Sequence, residues 1–430
     1  MSSAPSQAAA GHQERTEPRP FDLVVYGASG FTGRLVVAAL ARRAPSTLRW
    51  AVAGRDQARL VAVRDALAPG AAVVVADAAD EGALRALAQR SRVILTTVGP
   101  YARHGTPLLA ACAAAGTDYA DLTGEPLWMR ASIDAFHHVA AASGARLVHA
   151  CGFDSVPSDL GVLALQRAAL ERHGRPCDSV VHLIERMRGG VSGGTVASGL
   201  DLLEQVARSP CARRALADPD LLAPGAAPSV DAVGPWWPQR HRGAEGWSLP
   251  FVMAATNAKV VRRSRHLLGE PWGAGVHYRE RLTASTWARA AALGALTLSV
   301  AALLSFAPLR ALARRMLPAS GSGPSRAVRE GGSFRTRLLG TVEGVAEPLV
   351  VRIEGDADPG YEATARMLAE VGLGLASGEF DAVGGAAGDG RRVPAGVTTP
   401  AVVGGLLLIE RLTEVGVRVS VEPPQRASKR

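Results

Sequence analysis

Lysine is almost missing from this chain: Lys259 and Lys429 are the only two in 430 residues. That excludes a catalytic Tyr-x-x-x-Lys pair, because the residues four positions before them are Ala255 and Gln425. The net charge of +9 and the pI near 10.1 are therefore carried by arginine. The arginines are scattered among alanines, and no basic segment is studded with aromatics, so nucleic acid is excluded as a partner. Anionic lipid or an acidic carrier protein stays open. Cysteine is scarce as well. Cys112, Cys151, Cys177 and Cys211 form no C-x-x-C pair, which excludes a zinc site and a disulfide framework and points to a reduced, cytoplasmic setting. No H-E-x-x-H occurs, and His137-His138 reads as part of a helix face, so no metal is expected. Residues 1–20 lack the apolar core of a secretory signal and read as a disordered tail.

What is present is globular. Hydrophobic residues make up 47% and charged residues 20%, and the length calls for two domains. The organising stretch is FDLVVYGASGFTG, residues 21–33. An apolar run at 23–26 meets Gly27, Gly30 and Gly33, and residues 34–43 follow with a helical pattern. A strand, a glycine turn and a helix in that order form a dinucleotide fingerprint, with the glycines allowing close approach to a pyrophosphate at the helix N-terminus. Gly27, Ser29, Gly30, Phe31, Thr32 and Gly33 are its candidate cofactor contacts.

The β–α alternation then continues. A strand at 48–53 ends in Gly54-Arg55-Asp56, where arginine accommodates a 2′-phosphate and a carboxylate bonds ribose hydroxyls. Arg55 comes first, which favours NADP, while Asp56 keeps NAD open. After a helix at 57–67 and a strand at 72–76, Asp77 is placed to contact adenine or to cap the following helix. A strand at 92–98 runs into Val98, Gly99, Pro100 and Tyr101, beside the nicotinamide half of the site. A helix at 107–115, a strand at 119–122, a helix at 128–143 and a strand at 146–150 complete six β units of a Rossmann domain, a doubly wound parallel sheet. The loop after them, 151–159, carries Asp154, a candidate for substrate or cofactor contact, and Asp159, most simply a helix cap.

From about residue 178 the pattern changes. A strand at 179–186, a flexible turn at 189–194 and a helix at 195–208 precede a loop-rich region whose Trp236-Trp237 pair lines an apolar groove or forms a lid packed on the core. Another strand is expected at 276–282. Residues 290–309 contain no charge and are long enough to span a bilayer, but their small residues, Pro308 and two basic ends favour an apolar helix that is buried or lies on a membrane surface. Strands at 334–342 and 348–354, a helix at 360–375 beginning near Tyr361, a glycine-rich linker at 382–390, and a last helix at 401–415 complete the chain.

In this order the motifs GASGFTGRLV, AGRD, TTVGPY, DLTGE, GFDSVPSDLG, SGGT, GYEATARML and TTPAVVGGLLLIERL resemble the saccharopine dehydrogenase-like oxidoreductases, and within them the trans-acting enoyl reductase branch. The resemblance implies an N-terminal Rossmann domain over 21–155, a second α+β substrate domain over 156–385, and a C-terminal segment, 386–430, whose helix returns to the first domain. It implies NADPH as cofactor and reduction of an α,β-unsaturated acyl thioester in lipid or polyketide biosynthesis, the acyl chain arriving free, on a carrier protein or on a polyketide synthase. Tyr101 is the first candidate for proton donor or carbonyl anchor, with Asp154 and Tyr361 next. A homodimer, and a peripheral position at the inner face of the plasma membrane, are compatible with it. Gly152-Phe153-Asp154-Ser155-Val156 departs from the Gly-x-Asp-Pro-Gly of saccharopine reductases proper. An amino-acid imine reductase and a non-catalytic, nucleotide-binding scaffold at a membrane surface remain as alternatives.

Overall fold

The computed structural model describes residues 19–190, 193–226, 235–269, 276–316, 323–382 and 393–423. Most of the expected tail and nearly all of the glycine-rich linker lie outside them. The chain opens as β1 (Phe21–Tyr26), α1 (Phe31–Arg43), β2 (Trp50–Gly54), α2 (Gln57–Leu67), β3 (Ala72–Val75), α3 (Glu81–Gln89), β4 (Ser91–Thr96), α4 (Tyr101–Ala115), β5 (Asp118–Ala120), α5 (Pro126–Ser143) and β6 (Arg146–Val148). These strands pair in parallel in the order β6-β5-β4-β1-β2-β3, and a seventh strand from near the end of the chain adds in parallel to β6. Every residue of β1 is buried, as expected for a central parallel strand covered on both faces. The strand order reverses between β1 and β4, which places the ligand crevice at the carboxyl ends of those two strands.

α6 (Val156–His173) leads into β7 (Ser179–Arg188), α7 (Gly193–Arg208), α8 (Pro210–Ala217), β8 (Trp247–Pro250), α9 (Ala254–Leu268), β9 (His277–Ala284), α10 (Trp287–Ser305), α11 (Ala307–Met316), α12 (Arg326–Glu330), β10 (Ser333–Thr341) and β11 (Leu349–Gly355). A π-helical turn, Pro359–Ala363, opens α13 (Thr364–Ser377); α14 (Glu379–Ala382), β12 (Gly396–Thr398), α15 (Pro400–Glu414) and β13 (Val417–Val421) follow. The second sheet runs β13-β11-β10-β7-β9-β8, antiparallel except for the β7–β9 pair. The fold is thus α/β, a Rossmann sheet joined to a mixed sheet.

The late helices tie the two sheets together. α13 lies on α1 and β4, so close that a Cβ on Gly372 would stand 2.6 Å from Leu95 Cδ1. α15 packs on α6 and α13, while β12 is the seventh strand of the first sheet. Buried Asp159 sits in the first turn of α6 yet accepts from Ala401 N at 2.8 Å and from Ser264 Oγ, so it caps α15. A cap contributed across 242 positions ties the returning helix to α6.

Three expectations need correction. The helix read from residue 107 begins at Tyr101, because the Glu125 carboxylate accepts from Tyr101 N and Ala102 N, both at 2.9 Å. Pro107 therefore lies inside the helix. The apolar stretch 290–309 is two helices that break at Phe306, and of α10 only Ala290 is buried. Pro308 has no N–H to offer the Leu304 carbonyl and its ring would strike it; Arg310 Nη1 donates to that carbonyl instead, at 3.0 Å. The Trp236–Trp237 pair is no lid packed on the core, since the two side chains are 58% and 68% exposed. Buried Arg281 holds their loop by donating to Pro235 O, Trp237 O and Ser248 O at 3.0–3.1 Å.

Candidate functional site

The crevice is built around the glycine turn. Gly27 has a φ of +84°, a conformation that glycine adopts without strain, and a Cβ there would lie 2.6 Å from Val98 Cγ2. At Gly33 a Cβ would run into the Gly27 carbonyl oxygen. Gly30 is the N-cap of α1 and supplies no side-chain cap, and the first turn of α1 contains no acidic residue. The leading N–H groups of this helix and its positive dipole end are left for an anion, so the cradle fits a dinucleotide pyrophosphate.

Two charged candidates flank the end of β1. Exposed Arg55 follows β2 and exposed Asp77 follows β3. Both act on the Tyr26 phenol, which burial pushes up to about 12, with Asp77 adding to the rise and Arg55 opposing it. Asp77 accepts from Ala79 N at 2.9 Å; the cap of α3 is Asp80, which accepts from Ala83 N at 2.9 Å. Asp56 is used as the cap of α2, accepting from Arg59 N at 3.0 Å, so it competes poorly for a ribose. On the other flank Thr97 N donates to Tyr26 O at 3.1 Å and Thr97 Oγ1 to Gly27 O at 3.3 Å, which sets Val98, Gly99 and Pro100 beside the turn.

Tyr101 is placed differently from the expectation. Its ring stacks on Trp128 with centroids 5.5 Å apart. Its hydroxyl donates to Thr96 O and accepts from Leu122 N, both at 3.1 Å. Burial, then the nearby Asp121 carboxylate, pushes the phenol well above its ordinary range. A hydroxyl bonded on both sides and buried in this way fixes α4 against β4 and the loop after β5, and it offers no proton to a ligand.

Asp154 and Tyr361, far apart in sequence, meet on the first turn of α7. Thr195 Oγ1 donates to Asp154 Oδ2 at 3.3 Å, and Gly193 N donates to Tyr361 Oη at 3.2 Å. The Asp154 carboxyl is half-buried and raised by its surroundings, with the Thr195 bond pulling the other way. Tyr361 Oη accepts one bond and keeps its proton to donate. Its ring stands edge-on to Phe31 at 4.9 Å, and the Arg329 guanidinium lies 5.6 Å above the same Phe31 ring. The second domain therefore closes directly over the glycine turn.

Comparison with known proteins agrees with this geometry. A trans-acting enoyl reductase of Mycobacterium leprae is 40% identical over 424 residues, covering 93% of this chain and 97% of that one. This chain belongs to that family. A Mycobacterium tuberculosis protein provisionally given the same name is 44% identical over 417 residues, with the same shares covered. Residues 23–148 match the saccharopine dehydrogenase NADP-binding domain. The chain is thus an oxidoreductase with an NAD(P)-binding domain. A solved structure of saccharopine dehydrogenase from Saccharomyces cerevisiae, in its apo form, covers 93% of this chain and 99% of its own at a TM-score of 0.53 and 11% identity, a likeness of fold.

Behind Asp154 lies a polar network that local sequence reading missed. Register pairs His182 of β7 with Glu280 of β9, and both are buried. Asn257 Nδ2 donates to Glu280 Oε2 at 2.9 Å, Tyr278 Oη donates to the same oxygen at 3.3 Å, and Ser158 Oγ lies 3.2 Å from His182 Nδ1. Burial raises the Glu280 carboxyl to about 7, with Asp154 adding to the rise, and burial alone lowers His182 to about 3. The signal in the sequence was His182 within the apolar run VVHLI, and a carboxylate, Glu280, set among the arginines of HYRERL. A stability test follows. Glu280 binds its proton more tightly folded than unfolded, so its contribution is complete below about 4.5 and is lost as pH rises toward about 7. His182 works in the opposite sense, losing stability as pH falls from 6.5 toward about 3. Relative to its own urea midpoint at pH 5, the midpoint at pH 8 is expected to be higher in Glu280→Gln than in the parent chain, because the loss from Glu280 is removed while the gain from His182 remains; an unchanged difference contradicts the assignment.

Proposed function

We propose that the chain is an NADPH-dependent reductase of α,β-unsaturated acyl thioesters. The observation that carries this reading is the convergence of a raised carboxyl, Asp154, and the Tyr361 phenol on one helix turn, with the Tyr361 ring edge-on to Phe31 beside the dinucleotide cradle. The chemistry that a bound NADPH would supply is hydride for the β-carbon of the substrate. Everything else falls to the chain's own side chains. The leading N–H groups of α1 would hold the pyrophosphate, Arg55 would meet the 2′-phosphate, Asp77 would serve the adenosine side, and Val98, Gly99 and Pro100 would serve the nicotinamide. Tyr361 Oη donates to the thioester carbonyl as negative charge gathers on its oxygen. Asp154 gives its proton to the α-carbon, becomes a carboxylate, and recovers a proton through the neighbouring Glu280 network or from water. Burial raises the Asp154 carboxyl, the direction that favours an acid role.

Cofactor choice is tested by fluorescence titration with NADPH and NADH. Arg55→Ala is expected to weaken NADPH about 10-fold, the scale of one lost charge-assisted contact, and to leave NADH unchanged. Equal losses for both cofactors would remove Arg55 from the 2′-phosphate. For the proton, Asp154→Asn is expected to lower turnover about 10²- to 10⁴-fold while NADPH still binds. Full turnover in that variant would return the role to Tyr361 or to water.

A further inference from the structure

We propose that the α10–α11 hairpin is a membrane-dipping arm that seats this protein on an anionic bilayer surface. The inference is independent of the reductase reading, since it rests on the outer surface of α10 and α11 alone. α10 is long and apolar enough to cross a membrane, yet its side chains are turned outward: Leu296, Leu298, Val300, Leu303 and, at the turn, Phe306 are exposed. Phe306 is 63% exposed, and no charged residue stands between Arg289 and Arg310. An apolar patch of this extent, wrapped around a helix rather than confined to one stripe, suits lipid better than water.

The polar groups of the arm support the same conclusion. Thr297 Oγ1 and Ser305 Oγ donate to Leu293 O and Ala301 O at 2.9 and 2.8 Å. The carbonyls at the end of α10, which a helix normally leaves to water, accept instead from the Arg310 guanidinium, at 3.0 Å for Leu304 O and 2.6 Å for Ser305 O. Backbone and hydroxyl groups satisfied internally are what a low-dielectric surrounding requires. Topology excludes a crossing. Both helices contact α7, so the chain leaves the body along α10, turns at Phe306 and returns along α11, whose 10 residues are too short to recross a bilayer core.

Charge selects the kind of surface. Between Glu280 and Glu330 the sequence has seven arginines and no carboxylate. Arg314 is paired with Asp201 and Glu204 and holds the base of the arm to α7. Arg289 and Arg315 are exposed. Arg289 donates to Ser285 Oγ at 3.1 Å at the edge of an open depression beside α10 that Leu293 and Leu296 also line. Trp287 is exposed at the first turn of α10, the amphipathic ring type that favours a membrane interface.

The test is co-sedimentation of the intact protein with phosphatidylcholine vesicles, with and without phosphatidylglycerol. The expected result is binding that rises with phosphatidylglycerol and falls with salt. Leu298→Asp with Leu303→Asp is expected to lower the bound fraction at least 10-fold, and Arg289→Ala with Arg315→Ala to remove the preference for anionic vesicles. Because these side chains are exposed, NADPH titration and circular dichroism of both variants should match the parent and confirm folding. Absence of the parent from the vesicle pellet overturns the proposal, as does binding that survives the paired aspartates. Light scattering that shows a dimer lost in those variants, without vesicle binding by the parent, would assign the face to a second copy of the chain instead.

Discussion

Gly33→Ala is expected to weaken dinucleotide binding by about 10- to 100-fold, the largest single effect at the cradle. The added Cβ has nowhere to go: it meets the Gly27 carbonyl oxygen, and the Ala28 backbone lies 2.9 Å away. Those atoms are main chain, so no rotamer change relieves the contact. Either α1 moves away from β1 or the turn opens, and each displaces the N–H groups that would meet the pyrophosphate. Overpacking of this kind costs about 1–3 kcal/mol, which converts to the stated range of affinity. Titration with NADPH measures it directly. Gly54→Ala is the control, because a Cβ there meets only Leu60 Cδ2 at an ordinary 3.6 Å. Equal affinities for the Gly33→Ala variant and the parent chain would place the pyrophosphate elsewhere.

A second large effect is expected far from the cofactor. Glu370 on α13 is buried between Arg43 of α1, at 3.1 Å, and Arg411 of α15, at 2.8 Å. Arg43 also pairs with Glu414, and Arg411 with Glu379 at 2.7 Å. Removing the central carboxylate leaves two guanidinium groups facing each other across a cavity. Breaking a buried pair costs about 3–5 kcal/mol, and here the lower end applies because the outer carboxylates still meet both arginines. Urea unfolding of Glu370→Ala is therefore expected to show a loss of about 3 kcal/mol, with Glu370→Gln intermediate because it keeps the volume. A loss under about 1 kcal/mol would mean that the helices are held by apolar packing alone and that the ion pairs add nothing net.

The parts of this fold that could be read from sequence are those fixed by neighbours in the chain. The glycine turn, the parallel alternation that follows it, and a helix over 57–67 all depend on residues within a few positions of one another. What escaped reading depends on distant partners. Nothing near Tyr101 announces that Glu125 caps its helix, so Pro107 looked like a helix start, the place proline prefers. Tyr101 was the natural donor candidate at a strand end, and only the folded chain reveals that Thr96 and Leu122 occupy its hydroxyl. Asp159 read as a cap, and it is one, but of a helix 242 positions later. The apolar stretch 290–309 could be recognised as unusual from composition; its break at Phe306 and its outward-facing leucines emerge only in three dimensions. Glu280 and His182 share this character. Their meaning arises when β7 and β9 come into register.

The central claim is that this chain spends NADPH on a conjugated thioester. The most direct measurement follows NADPH absorbance when purified protein meets a 2-enoyl pantetheine thioester, with the product identified by mass. The account predicts thioester-dependent NADPH consumption, a product heavier by two hydrogens, and loss of the reaction in Asp154→Asn. Folded protein that binds NADPH yet leaves 2-enoyl thioesters of short and long chain untouched would contradict it.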